Sequence, residues 1–313
     1  MGLTIGVVGA GAIGGLLAAR LIDAGHRVRV LARTRTLEAL RANGLTLHSD
    51  GATITAVPDL VSGDPALIGP VDLCLFTVKG QDTDAAAATI GPMIGPDTRI
   101  LSFQNGLAGV ETLAQMFGAA RVLAGVTYVP ATVEAPGVVR HTGAQSRFVF
   151  GPFAPGAGAP VDAAFAAAGR AAGLQMELLA DPMPEIWAKF VMLTPFHLIC
   201  AMTRRALGGW IDVPQTRALY RAGMEEVAAL ARARGVALPA GLVERNMAFS
   251  TEIADRRTRA SMLDDLERGR PLELEATVGW LVRQARAHGV AAPFHEMGHA
   301  VLRPHVDGAA QTA

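Results

Sequence analysis

Three groups of residues in this 313-residue chain are of types and spacings that could do chemistry. The first is Gly9-Ala10-Gly11-Ala12-Ile13-Gly14, set between the short apolar run Leu3–Val8 and the amphipathic stretch Ala12–Ala24. In a strand–turn–helix, the first glycine permits a tight turn and the second lets the backbone approach a pyrophosphate. The third allows close helix–strand packing, while the helix N-terminus offers unpaired N–H groups. That context makes the pattern a dinucleotide-binding signature rather than a bare glycine repeat. An NAD-selective site carries Asp or Glu about 20 residues further on. Here the chain reads Leu31-Ala32-Arg33-Thr34-Arg35 and has no acid. Arg33 can pair with a 2′-phosphate, so the expected cofactor is NADP(H).

The second group is Lys79, which ends the buried-type run Val71–Val78, and Asn105, which follows the strand-like Arg99–Phe103. Ligands of open parallel sheets bind beyond the carboxyl ends of strands, which makes both residues cofactor- or substrate-site candidates. The third group starts with Lys189, the only formally charged residue from Ile186 to Thr203. A lysine in a helix apolar nearly all round must be paired or at work. Glu273 and Glu275 supply carboxylates after the helix break Gly269–Pro271, and Glu273 is expected in the first turn of the next helix. An acid there also suits the helix dipole, and local spacing does not choose between the two uses.

These groups need elements to position them. The first half alternates apolar runs with helical periodicity, which predicts a parallel sheet of the Rossmann type. Leu45–Leu47 and Ala52–Val57 read as strands of an excursion, and Val138–His141 with Arg147–Phe150 as a hairpin-like antiparallel edge. From Pro184 to His305 the pattern is almost wholly helical. The expectation is an α/β fold: an N-terminal Rossmann-type dinucleotide-binding domain over residues 1–180 and a C-terminal all-helical domain over 181–313, with the active site in the cleft between.

With these residues in view, the chain resembles the ketopantoate reductase (2-dehydropantoate 2-reductase) family over nearly all its length. The matching pieces are GAGAIGG, VKGQDTDAA, QNG, IWAKF and ASMLDDLERGRPLELE. The resemblance implies NADPH-dependent reduction of a 2-oxo acid, ketopantoate to pantoate, as in pantothenate biosynthesis. It further implies Lys189 as the catalytic lysine and general acid, with Glu273 acting beside it. Asn105 would contact substrate and cofactor, Ser261 substrate, and Lys79 and Arg33 the cofactor. Family members commonly carry asparagines four and eight residues after the lysine. Here Leu193 and His197 stand there, so His197 joins the substrate-binding candidates and the pocket wall gains apolar surface. That favours, as the alternative substrate, a more apolar 2-oxo acid. A non-catalytic NADPH-binding sensor would share the first half of the chain, but has no need of the Lys189–Glu273 pair.

One rival motif is present: His295-Glu296-Met297-Gly298-His299 is an HExxH, with His305 ten residues after His295. A zinc protease would place both histidines on one helix face with Glu296 as base. Against it, Leu302 replaces the metzincin glycine, Pro304 precedes the third histidine, and only eight residues follow His305. No metal is expected.

Composition narrows the remaining classes. Half the residues are apolar and 18% charged, which excludes wholesale disorder. Lys plus Arg and Asp plus Glu are 28 each, without the basic excess of a nucleic-acid binder. Cys74 and Cys200 read as buried thiols of a reduced compartment. The longest apolar candidate for a membrane, Phe190–Met202, is short of the roughly 20 residues a bilayer needs. A cytoplasmic protein is expected, with a small-molecule partner and neither nucleic acid nor membrane; a homodimer is compatible with the sequence.

Overall fold

The computed structural model describes residues 2–49 and 51–309. Two compact units are present. One comprises the chain up to Gln104 with Gly109–Pro182, the other Asn105–Ala108 with the chain from Met183 on.

The first unit runs β1 (Thr4–Val8), α1 (Ala12–Asp23), β2 (Arg27–Leu31), α2 (Thr34–Asn43), β3 (Leu45–Ser49), β4 (Ala52–Ala56), β5 (Leu60–Ser62), α3 (Pro65–Ile68), β6 (Leu73–Phe76), α4 (Thr83–Ala87) and β7 (Arg99–Ser102). It continues through α5 (Ala108–Phe117), β8 (Val122–Tyr128), β9 (Ala131–Ala135), β10 (Val138–His141), β11 (Arg147–Pro152), α6 (Pro160–Ala171) and β12 (Gln175–Leu178). The main sheet has the order β12-β11-β8-β7-β6-β1-β2-β5. Strands β5, β2, β1, β6, β7 and β8 pair in parallel, β11 is antiparallel to β8, and β12 is parallel to β11. The Rossmann-type α/β expectation is met. The central strand β6 is buried at all four positions, as a run apolar on both faces requires.

The hairpin expectation fails. β10 joins β3 in parallel and β9 antiparallel in a separate sheet, β4-β3-β10-β9, while β11 belongs to the main sheet. The partner of β10 is the half-polar strand Ala131–Ala135, most of whose residues are exposed, so it carried no apolar alternation to announce it. The second sheet exists to cover α1, which packs against β3, β4, β9 and β10 as well as β1 and β2. This is why α1 buries a run of consecutive residues, Gly14 to Ala19, rather than one stripe.

The second unit is helical, as expected: α7 (Met183–Thr203), α8 (Pro214–Ala233), α9 (Leu242–Ala248), α10 (Ser261–Glu267), α11 (Trp280–Ala287) and α12 (Pro293–Leu302). Single π-helical turns occur at Phe249–Ile253 and Glu275–Gly279. Glu273 therefore lies in a turn just before a π-helical segment, not in the first turn of an α-helix. α7 is long and apolar enough to cross a membrane, longer than the run read from sequence, yet 61% of its apolar window is buried; it is the unit's core helix. α8 approaches it closely, since a Cβ on Gly223 would meet Pro195 at 2.7 Å. Burial pushes the Cys74 thiol up to about 12 and Cys200 to about 11, so both stay protonated.

Candidate active site

In the first unit the glycine turn joins β1 to α1. Gly9 takes φ 91°, a conformation that suits glycine, and a Cβ there would lie 2.9 Å from the Val78 backbone nitrogen. At Gly14 a Cβ would stand 2.3 Å from both the Gly9 carbonyl oxygen and Thr77 Oγ1. The Thr77 hydroxyl donates to the Gly9 carbonyl at 2.8 Å, pinning the turn. Sequence reading missed Thr77, whose only signal was its place at the end of β6. At Gly11 a Cβ would meet nothing within 4 Å, so the backbone there fronts open space. Gly11 is also the N-cap of α1 and makes no side-chain cap, which leaves the first-turn N–H groups for a ligand.

That space is a cavity of about 420 Å³, within the range of cofactor sites. Gly9, Ala10, Gly11, Arg33 and Lys79 line it, together with Thr36, Thr77, Asp82 and Thr89. Ala12 and Ile13 form the first turn of α1 beside it, and Gly14 is buried beneath. Arg33 is exposed at the end of β2, where Thr34 takes φ 45°, a strained conformation for a β-branched residue. Lys79 is exposed after β6. The close-packed turn and the bare helix terminus fit a dinucleotide.

Asn105 lies with the second unit, although its sequence neighbours belong to the first. Lys189 Nζ donates to Asn105 Oδ1 at 3.1 Å. Gly106, at φ 84°, packs so closely on Phe190 that a Cβ would lie 3.0 Å from its ring. Phe190 and Trp187 flank Lys189 on α7, and their rings each stand 5.9 Å from Trp280, seven residues beyond Glu273. This aromatic cluster fixes the three chain segments that carry Asn105, Lys189 and Glu273. Arg234 stacks 5.2 Å over Trp280 and closes the cluster.

Burial pushes the Lys189 ammonium down to about 8, and the Glu273 carboxylate opposes the shift. The two acids of the Glu-Leu-Glu segment have separate duties. Glu275 Oε1 accepts from His299 Nε2 at 2.8 Å and pairs with Arg303 at 3.1 Å, and Oε2 pairs with Arg283 at 3.2 Å. Burial raises the Glu275 carboxyl, but these partners outweigh it and hold it low. Glu273 is the acid coupled to the lysine.

His197 is buried on α7, two turns after Lys189, and Leu193 is half-buried one turn after it. Ser261 is exposed at the start of α10, a helix that packs against α7. The HExxH residues diverge. His295 is fully buried, with Nδ1 2.6 Å from Glu226 and Nε2 3.0 Å from Thr194, so both ring nitrogens are engaged. His299 binds Glu275, and Glu296 binds Arg286 at 2.9 Å. Among the described residues no group of three or more His, Cys, Asp or Glu is placed to hold a metal.

A glycine-turn cavity on a parallel sheet and a desolvated lysine paired with a carboxylate are the parts of a dinucleotide-dependent oxidoreductase. The ketopantoate reductase PanE/ApbA family matches residues 5–155, and its C-terminal domain matches residues 181–306. The chain belongs to the ketopantoate reductase family. It is 34% identical over 297 residues to a 2-dehydropantoate 2-reductase of Mesorhizobium japonicum, covering 88% of this chain and 89% of that protein. It is 31% identical to the enzyme of that name from Caulobacter vibrioides, covering 96% and 98%. The crystal structure of 2-dehydropantoate 2-reductase from Geobacter metallireducens superposes with a TM-score of 0.89 at 33% identity, covering 96% and 99%.

Proposed function

We propose that the protein reduces a 2-oxo acid with NADPH, ketopantoate first among candidates, with Lys189 as the general acid. The observation that carries this is Lys189 itself: a lysine on a core helix, hydrogen-bonded to Asn105, shifted to about 8 and opposed by Glu273. A pure NADPH sensor gives no reason to keep a desolvated proton donor.

A bound nicotinamide cofactor would supply a hydride for the substrate's carbonyl carbon. The chain must supply a proton to the carbonyl oxygen. A Lys189 ammonium polarises that oxygen by hydrogen bonding and transfers its proton as negative charge develops there. Asn105 holds the ammonium in place and Glu273 favours its charged form. His197 and Ser261 are the further substrate-binding candidates. In the first unit Gly9, Ala10, Gly11, Ala12 and Ile13 would hold the pyrophosphate, Lys79 a phosphate, and Arg33 the 2′-phosphate that distinguishes NADPH from NADH. On this reading the first unit would be the cofactor domain and the second the substrate and catalytic domain of a cytoplasmic enzyme acting on a small oxo acid.

Leu193 supports a second reading, a substrate with a more apolar tail. A site that hydrogen-bonds a substrate hydroxyl discriminates strongly, whereas an apolar wall does so by about 10- to 200-fold per methylene. The test is NADPH oxidation over a panel containing ketopantoate, 2-oxoisovalerate and longer branched or aromatic 2-oxo acids. Turnover of none of them would leave a binding protein and overturn the reductase reading. A kcat/KM for ketopantoate above all others, at about 10⁴ M⁻¹s⁻¹ or more, would settle the substrate against the apolar alternative.

A further inference from the structure

No acid stands at the end of β2, where an NAD site carries one, but the fold brings an acid to that place from a different loop. Asp82 closes the 3₁₀ turn Gly80–Asp82 after β6, and its Oδ1 lies 3.8 Å from Arg33 Nη2. Both residues line the dinucleotide cavity, and Lys79 is the third ionisable side chain on its wall. Asp82 is positioned as the N-cap of α4, yet its side chain caps nothing in that helix. Its carboxylate is half-exposed and is held toward Arg33, not toward its own element.

We infer that Asp82 sets the cofactor discrimination of this protein: it opposes the 2′-phosphate that Arg33 attracts and offers an acceptor to a ribose 2′-hydroxyl. The inference rests on the proposed reading of Arg33 as the 2′-phosphate residue. A phosphate monoester carries about 1.5 to 2 negative charges at neutral pH. Bound to the Arg33 guanidinium, it sits within a few ångströms of the Asp82 carboxylate, and like charges at that range repel appreciably even near solvent. A neutral ribose hydroxyl meets no such penalty and can donate to the same oxygen, the role an acid at the end of the second strand plays in NAD sites. Of the three ionisable residues on the wall, two are cations and one an anion, so Asp82 narrows the margin by which the lining favours NADPH over NADH.

The test is calorimetric titration of NADPH and of NADH into the wild-type protein, Asp82→Asn and Arg33→Ala, at low and at moderate salt. Asp82 is half-exposed, so the amide variant should fold normally. Asp82→Asn is expected to tighten NADPH by roughly 5- to 30-fold while NADH changes less than about threefold or weakens, and the gain should shrink as salt screens the carboxylate. An NADPH change under about twofold, or an equal change for both cofactors, would overturn the inference. Arg33→Ala separates the two readings. If it weakens NADPH alone while Asp82→Asn is inert, only the role of Asp82 falls. If it weakens both cofactors equally, the 2′-phosphate reading falls and the role of Asp82 with it.

Discussion

Lys189 Nζ donates a hydrogen bond of 3.1 Å to Asn105 Oδ1, joining residues 84 apart in sequence. The bond orients the ammonium without neutralising it, which is what a proton donor needs. Replacing Lys189 with Ala is expected to lower kcat by about 10²–10⁴, the span of general acid catalysis, with the Kd for NADPH unchanged. A loss of less than tenfold in steady-state kinetics would remove Lys189 from the mechanism.

The shift of Lys189 sets a pH dependence. Its charged form is the acid, and burial pushes its pKa down to about 8, against 10.5 for a free lysine. The kcat/KM profile should hold a plateau below about pH 8 and fall tenfold per unit above it. The stability effect has the opposite sense. Folding disfavours the charged form, so the cost of burying it is present below about pH 8 and is relieved as pH rises toward 10.5. Removing Glu273, as in Glu273→Gln, should move the descending limb to lower pH, because that carboxylate favours the charge. A limb that does not move would separate Glu273 from the lysine.

Two glycines of the same turn should fail in different ways. A Cβ at Gly14 meets Gly9 and Thr77 oxygens at 2.3 Å, so Gly14→Ala must displace the turn and should cost about 1–3 kcal/mol in chemical denaturation. Gly11 faces open space, so Gly11→Ala should unfold like the wild type but weaken NADPH by intruding on the pyrophosphate path. Comparable loss of stability in both variants would contradict this assignment.

Arg99 and Asp162 form a bidentate pair inside the first unit, at 2.9 and 3.0 Å, with side chains only 6% and 2% exposed. Asp162→Ala strands a buried guanidinium and also removes the acceptor for the Ala159 N–H at the start of α6. A loss of about 3–5 kcal/mol is expected from urea unfolding, far above the 0–1 kcal/mol of exposed pairs. A loss near 1 kcal/mol would mean that water reaches the pair.

Local pattern and tertiary placement divided the information unevenly. Apolar runs and a 3.6-residue period located β1, α1 and β7 to within a residue or two, because each buries surface that its own composition announces. β9, mostly exposed, announced nothing, and β10 and β11 looked like neighbours although they pair in different sheets. Strand partners are chosen by where α1 needs covering, which no local window records. The HExxH shows the same limit from the other side. Its spacing satisfied a zinc site, yet burial turned His295 to Glu226 and Thr194, and packing turned His299 to Glu275.

The sequence alone determined the residue types at the chemistry: a glycine turn that only small residues can make, an isolated lysine in an apolar helix, and the absence of an acid after β2. Spacing along a strand or helix is a local property, so these survive in one dimension. Tertiary structure decided which of those residues meet. It assigned Asn105 to the helical unit, gave Glu275 to His299 while leaving Glu273 with Lys189, set Thr77 under the glycine turn, and brought Asp82 to Arg33. These are contacts between segments tens of residues apart, fixed by burial of Phe190, Trp187 and Trp280 in one unit and by parallel strand order in the other. Such contacts follow from the burial of many side chains at once, and no single stretch of the chain encodes them.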